Sequence, residues 1–170
     1  MGVSGSGKTT VGEALADALG FDFIEGDAFH PPANVEKMAA GIPLTDDDRA
    51  PWLGALVEAV RARREGGLGT VLACSALRRT YRDQLRTAVP LKESFVVALE
   101  ADAGTLRSRL WTRRGHYMPA ILLESQLATL EPLESDEPGV TIDAARRPEL
   151  VIAEALAAIR SRHGTLPAGR

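Results

Sequence analysis

The chain has 170 residues, which is enough for one domain with a hydrophobic core. A formal net charge of -3 makes nucleic acid a poor default partner, and no apolar run approaches membrane-spanning length. A single cysteine, Cys74, excludes a disulfide framework and a cysteine-based metal cluster, and it suits a reducing cytoplasm. We therefore expect a cytoplasmic protein with one domain over 1–162 and a flexible tail at 163–170.

The first half of the chain alternates helix and strand. After a glycine-rich opening, apolar residues recur at helical spacing until Gly20, which is a natural helix end. A strand at 21–24 follows, and then a loop rich in Pro, Gly and Asp that contains a short helix near 34–40. Pro51 suits the first position of the next helix, and an apolar strand at 70–74 comes after it.

The second half continues this alternation. A basic helix precedes a strand at 94–99, and Asp102 is placed to cap the helix after that strand. A further helix is expected near 120–130 and a strand at 139–143, and Pro148 opens the last helix. Such alternation predicts an α/β fold with a parallel sheet and helices on both faces.

One strand is missing from this pattern. A phosphate-binding loop normally joins a strand to a helix, but only Met1 precedes the loop that begins at Gly2. An unfilled central position would leave buried backbone groups unpaired, each costing about 1–3 kcal/mol. We therefore expect the functional polypeptide to carry an upstream apolar strand of about five to eight residues. In the 170-residue chain, the strands at 21–24 and 70–74 should flank its position, empty or filled by tag residues or a partner chain.

The opening stretch GVSGSGKT has the G-x-x-x-x-G-K-T pattern of a phosphate-binding loop. Its glycines let backbone N–H groups turn toward phosphate oxygens, Lys8 reaches the β- and γ-phosphates, and Thr9 offers a hydroxyl to Mg²⁺. The loop indicates ATP or another nucleotide without specifying the reaction. The predicted nucleotide-binding residues in it are Gly2, Val3, Ser4, Gly5, Ser6, Gly7, Lys8, Thr9 and Thr10.

Two carboxylates follow the strand at 21–24. Glu25 and Asp27 are two residues apart, so an extended backbone presents them on the same face. One carboxylate, for which Glu25 is the candidate, could hold Mg²⁺ or its water together with Thr9, and the other, Asp27, could accept a proton from a substrate hydroxyl. Both could instead be solvated turn residues. His30, which precedes two prolines, could bind a sugar hydroxyl or simply pack.

Several arginines are candidates for binding an anionic substrate. Arg49 lies at the end of the long loop, and Arg78, Arg82 and Arg86 are spaced by four on one helical face. Arg78 and Arg82 lie near the end of a strand, where their planar guanidinium groups suit a carboxylate. The alternative is a solvated basic face, which we expect for Arg86.

The stretch RLWTRRGHY joins two helices and predicts a lid at about 111–125. A lid arginine neutralises charge on the transferring phosphoryl group, and Arg113 is the preferred candidate. Arg109 is a second candidate, for nucleotide binding, although both could belong to a solvated helix end. Trp52 and Trp111 are expected to be packing residues.

Four stretches together resemble the gluconokinase family, which is similar to shikimate and adenylate kinases: GVSGSGKT, GDAFHPPANVEKMAAGIPLTDDDRAPWL, CSALRRTYRDQLR and SRLWTRRGHY. The resemblance implies a three-layer P-loop kinase fold with a five-stranded parallel sheet, a helical lid and frequent dimers. It also implies Mg²⁺-dependent transfer of the γ-phosphoryl group of ATP to the 6-hydroxyl of D-gluconate.

The resemblance also implies roles for particular residues. Asp27 matches the position that takes the hydroxyl proton or orients the sugar, and Arg113 matches the lid. Four residues match acceptor-side positions, namely His30, Arg49, Arg78 and Arg82. The chain departs from the family only before Gly2. A kinase for another small hydroxy acid such as shikimate stays open, as does a nucleotide-dependent switch without an acceptor.

Overall fold

The computed structural model describes residues 1–112 and 120–164, apart from the side chains of residues 120 and 121. Within these ranges the chain forms four strands: β1 (Asp22–Glu25), β2 (Thr70–Ala73), β3 (Val96–Glu100) and β4 (Gly139–Asp143). The helices there are α1 (Lys8–Leu19), α2 (Pro32–Ala39), α3 (Asp46–Glu65), α4 (Arg79–Arg86), α5 (Ala103–Thr112), α6 (Ala120–Thr129) and α7 (Pro148–His163). None of these helices is long and apolar enough to cross a lipid bilayer.

The predicted strands are confirmed, with ends that shift by one or two residues. Strand β1 pairs with β2 in parallel, in the register Asp22 to Thr70, and β3 pairs with β4 in parallel, in the register Val96 to Gly139. Among the described residues these pairs form two separate two-stranded sheets. Gly20 ends α1 in the left-handed conformation, as predicted.

The position predicted for a strand before the phosphate loop was wrong. Strands β1 and β2 are direct hydrogen-bonded neighbours, so nothing lies between them. Instead, Met1 lies beside β3: its nitrogen donates to Val97 O at 2.5 Å, and its oxygen accepts from Leu99 N at 2.9 Å. Gly2 N donates to Ser75 O, just after β2, at 3.2 Å. The backbone that enters the loop therefore lies between β2 and β3, an order that chain order alone does not give because crossovers join parallel strands.

Helices cover both faces of the strands. Consecutive strand residues point to opposite faces, and accordingly Val71 packs with α1 and α7 whereas Leu72 packs with α3. Leu56, on α3, is completely buried in the second of these clusters. A third cluster, which joins the phosphate loop to α5 and α6, consists of Val3, Leu77, Leu106 and Leu123. The predicted three-layer α/β arrangement is therefore confirmed.

Helix α3 begins earlier than predicted. Pro51 was expected at its first position, but the helix begins at Asp46 and contains Pro51 in its interior. Thr45 and Asp48 form a capping box, with Asp48 N donating to Thr45 Oγ1 at 3.2 Å and Thr45 N donating to Asp48 Oδ2 at 2.9 Å. Acidic residues in the first turn also suit the helix dipole. These two effects outweigh the hydrogen bond that Pro51 removes.

A buried ion pair fixes α4 to the segment before β4. Arg82 is 2% exposed, and its Nε and Nη2 each donate to a Glu137 oxygen at 2.7 Å. Arg86 Nη2 donates to the same carboxylate at 2.6 Å, so the solvated position predicted for Arg86 was wrong. Burial raises the pKa of Glu137, but hydrogen bonds from Arg82, the Glu134 N–H and Arg86 outweigh it and bring the pKa from 4.5 to about 2.

We expect Glu137→Gln to lower the free energy of unfolding by about 3 kcal/mol, because it leaves a buried guanidinium without its carboxylate. Urea denaturation measures this loss. Glu134→Gln is the matched control, since Glu134 is exposed and its pair with Arg79 should contribute less than about 1 kcal/mol. Equal losses in the two variants would contradict the assignment.

The pH dependence gives a second measurement of the same pair. The folded pKa of Glu137 lies below its ordinary value of 4.5, so its stabilising effect is complete above pH 4.5 and is lost as the pH falls toward 2. Glu137→Gln should therefore be less sensitive to acid than the parent chain across this window.

Candidate active site

The phosphate loop closes onto the N-terminus of α1. Gly7 precedes the helix with a φ of 92°, a left-handed conformation that a residue with a side chain rarely adopts. Lys8 is the first helical residue, and its ammonium group donates to Val3 O at 3.2 Å across the loop. Loop N–H groups, the helix dipole and this ammonium group together form an anion-binding site.

Thr9 and Glu25 meet beside this loop. Thr9 Oγ1 donates to Glu25 Oε2 at 2.6 Å, which brings together the two predicted metal-binding side chains. Among the described residues no group of three or more His, Cys, Asp or Glu side chains could hold a metal ion. Mg²⁺ commonly uses one or two protein oxygens together with phosphate oxygens and water, so a hydroxyl and a carboxylate at this position fit it.

A cleft of about 280 Å³ opens beside the loop. The cleft is lined by residues predicted for the nucleotide and by residues predicted for the acceptor: Ser4, Lys8, Asp27, His30 and Arg49. Residues that sequence reasoning missed line it as well, including Ser75, Leu77, Leu122, Ser125 and Gln126. The structure therefore brings the phosphate loop, Asp27 and Arg49 to one cleft.

Trp52 holds the acidic side of the cleft in place. It is 1% exposed, and its Nε1 donates to Gly26 O at 2.8 Å. Gly26 lies so close to β2 that a Cβ there would be 2.5 Å from Ala73 O. Asp27 follows directly in a short 3-10 turn. The packing role predicted for Trp52 is confirmed, whereas the one predicted for Trp111 was wrong because that side chain is 92% exposed.

His30 stacks on the Trp52 ring at the edge of the cleft. The two ring centroids are 4.2 Å apart, with an interplanar angle of 13°. Burial lowers the pKa of His30 below its ordinary 6.5, Asp27 partly opposes this shift and Arg49 adds to it. At neutral pH a neutral imidazole therefore faces the cleft, which suits a hydrogen bond to a sugar hydroxyl.

Two arginines share the ring of Tyr81, a residue that sequence reasoning missed. The Arg49 guanidinium lies 5.7 Å from the ring centroid and that of Arg78 lies 5.9 Å from it. Arg49 lines the cleft and donates to Leu44 O at 2.5 Å. Arg78 donates to Asp46 at 2.7 Å, and Tyr81 donates its hydroxyl proton to the same carboxylate. A cleft-facing and an ion-paired arginine thus lie side by side.

The remaining predicted site residues lie elsewhere. Arg82 is buried against Glu137 and does not line the cleft, because that carboxylate and the carbonyls of Glu131 and Pro132 accept its N–H groups. Arg109 donates to Ala144 O, just after β4, at 2.7 Å. Arg113 lies outside the described residues.

Gln126 was not singled out from the sequence, because one glutamine on a helix carries no motif. It lies on α6, and its Oε1 accepts from Ser4 N in the phosphate loop at 2.7 Å. Only the pairing of α6 with the loop reveals it.

Comparisons with known proteins find similar sequences and structures among sugar kinases. A family model described as an AAA domain matches residues 1–133. The chain is 52% identical to a gluconokinase of Gluconobacter oxydans over 155 residues, which cover 91% of this chain and 85% of that protein. Among solved structures, a Janibacter sugar kinase has a TM-score of 0.88 at 50% identity, covering 94% of this chain and 91% of its own. A gluconokinase from Sinorhizobium meliloti has a TM-score of 0.83 at 46% identity, covering 95% and 89% respectively.

Fluorescence can report the stacked pair, because the sequence has only two tryptophans. In Trp111→Phe, Trp52 is the remaining fluorophore, and we expect its emission to fall as His30 becomes protonated and quenches the indole. The midpoint should lie below pH 6.5, in the direction that burial shifts the pKa of His30.

Trp52→Phe is the matched control, because it leaves only the exposed Trp111 and should show no such step. Adding His30→Gln to Trp111→Phe should abolish it. A midpoint above pH 6.5, or a step that survives the loss of His30, would refute the stacking assignment.

Proposed function

The chain belongs to the gluconokinase family, and on that premise we propose that it transfers the γ-phosphoryl group of ATP to the 6-hydroxyl of D-gluconate. The products are 6-phospho-D-gluconate and ADP. At the level of residues, the cleft lined by both Lys8 and Asp27 is the observation that carries the proposal. A nucleotide-dependent switch would need no such acceptor side.

The nucleotide side consists of the loop from Gly2 to Thr10. The N–H groups at the α1 end of the loop and the Lys8 ammonium group bind the phosphates and neutralise charge as the transfer proceeds. Thr9 and Glu25, already in contact at 2.6 Å, would hold Mg²⁺. When bound, the ion would supply positive charge that neutralises the charge developing on the transferring phosphoryl group.

The acceptor side consists of Asp27, His30 and Arg49. Asp27 accepts the proton of the 6-hydroxyl as the oxygen–phosphorus bond forms and the bond from the γ-phosphorus to the bridging oxygen of ADP breaks. His30 binds a sugar hydroxyl, and Arg49 binds the carboxylate. Arg78 can also bind the substrate. Its side chain is 40% exposed and that of its partner Asp46 is 58% exposed, so little free energy is lost when this ion pair opens. Arg82 has no part in this assignment.

Further expectations about the chain extend this proposal. Arg113 acts on the transferring phosphoryl group, and Arg109 contributes to nucleotide binding. Residues 1–162 form one kinase domain. A cytoplasmic location suits Cys74, a buried thiol with a pKa raised to about 12, mainly by burial. A homodimer is expected from the family alone.

We expect ADP release to require D-gluconate and Mg²⁺. A coupled assay with gluconate, shikimate, AMP or no acceptor measures this directly. The carboxylate, neutral imidazole and arginine of the cleft suit a hydroxylated anion, and because the chain belongs to the gluconokinase family we expect gluconate alone to support turnover. Equal turnover without an acceptor would reject the kinase proposal, and a preference for shikimate would reassign the substrate.

Asp27→Asn should lower kcat by about 10²–10⁴-fold, because it removes the base and keeps the size of the side chain. Affinity for a non-hydrolysable ATP analogue should stay within about threefold, as measured by calorimetry. Asp17→Asn, at an exposed position on α1, is the control and should retain full activity. A loss smaller than tenfold in Asp27→Asn would assign Asp27 a structural role.

A further inference from the structure

We propose that Gln126 is a substrate-binding residue whose side-chain amide donates hydrogen bonds to the sugar acid. The inference rests on the proposed function and assigns one more contact in the same cleft. Gln126 lines this cleft with Asp27, His30 and Arg49, and it comes from α6, which contacts the phosphate loop.

The orientation of the Gln126 carboxamide follows from its partner. Ser4 N can only donate, so the atom 2.7 Å away must be the carbonyl oxygen Oε1. The amide nitrogen Nε2 must then point away from the loop backbone with two hydrogens to donate. No hydrogen-bond acceptor for Nε2 is found within the described residues. A half-buried donor that lines a cleft in this way suits an acceptor-rich ligand.

Helix α6 is fixed well enough to make this donor a rigid one. Leu123 is 1% exposed and packs with Val3 and Leu77, directly beneath the loop and the cleft. Just beyond the helix, Glu131 N donates to Leu77 O at 2.7 Å. Because packing and a backbone hydrogen bond hold the helix, Gln126 needs little reordering to bind a ligand.

The sugar acid suits Nε2 better than the phosphate chain does. The Gln126 carbonyl already accepts the hydrogen of Ser4 N, so this N–H is not available to a phosphate. The side chain therefore takes one donor away from the anion site of the loop. The other α6 residues that line the cleft, Leu122 and Ser125, are neutral as well. Hydroxyls and a carboxylate are acceptors that a neutral amide can bind and orient.

Gln126→Glu tests the donor role of Nε2 apart from the acceptor role of Oε1. A glutamate keeps the size and still accepts from Ser4 N, but it loses the donor and puts a negative charge beside an anionic substrate. We expect the KM for gluconate to rise roughly ten- to hundredfold, the scale of one hydrogen bond to a charged group. The KM for ATP should change less than about threefold. Gln126→Leu, which loses both hydrogen-bonding atoms, should raise the KM for gluconate and also perturb the loop.

Calorimetry on the intact chain tests binding apart from turnover. Gluconate and a non-hydrolysable ATP analogue are titrated separately into the parent chain, Gln126→Glu and the control Gln84→Glu. Gln84 lies on α4 outside the cleft, so its substitution adds the same charge without touching the site. We expect weaker gluconate binding in Gln126→Glu alone, with circular dichroism spectra that match the parent.

Two results would overturn the inference. If Gln126→Glu weakens the ATP analogue but not gluconate, the residue belongs to the phosphate site. If gluconate binding is unchanged, Nε2 makes no contact with the sugar acid. Failure of the proposed function looks different, because the parent chain itself would then show no gluconate-dependent ADP release and no gluconate binding.

Discussion

The close approach of Gly26 to Ala73 is the constraint on which the acceptor side of the cleft depends. A Cβ on Gly26 would lie 2.5 Å from the Ala73 carbonyl, so only glycine lets the chain turn directly off the end of β1. The Trp52 indole then donates to the Gly26 carbonyl from α3 and stacks on His30. One aromatic side chain thus fixes the turn that carries Asp27 and the ring that faces the ligand. Both groups are set by packing against the strand ends, which keeps them in place before any ligand binds.

The arginines of this fold divide into two groups by burial, despite their regular spacing. Arg82 and Arg86 turn toward Glu137 and bind α4 to the segment before β4. Arg78, one helical turn earlier, pairs with Asp46 at the start of α3 near the cleft. A buried ion pair contributes little net stability but is costly to break. Arg82 and Arg86 therefore fix the position of α4 and do not bind substrate. The arginine that lines the cleft itself, Arg49, comes from α3.

Local chemistry predicted more of this protein than pairing between elements did. The phosphate loop, the four strand positions and the proximity of Thr9 to Glu25 follow from motifs and spacing, which are local properties. The place between β2 and β3 where Met1 and Gly2 lie depends on crossovers that a single sequence does not encode visibly. Burial of Arg82 needs Glu137, which is 55 residues away. Gln126 becomes informative only when α6 packs against the loop. The early start of α3 is local too, since Thr45 and Asp48 form its capping box, although Pro51 indicated a later first position.

The proposed reaction brings two anions, ATP and gluconate, together in one cleft, so the charges of the residues that line it matter. In the proposed assignment, Lys8 and loop N–H groups bind the phosphates and Arg49 binds the carboxylate. His30 is kept neutral by its burial on Trp52, so it can bind a hydroxyl without adding a charge that would compete for either anion. In the proposed assignment, Gln126 adds a second neutral donor to the same cleft. Neutral donors orient a substrate through geometry and leave the charged groups to act on the transferring phosphoryl group. A catalyst for phosphoryl transfer benefits from this division, since positioning and charge neutralisation supply most of its rate enhancement.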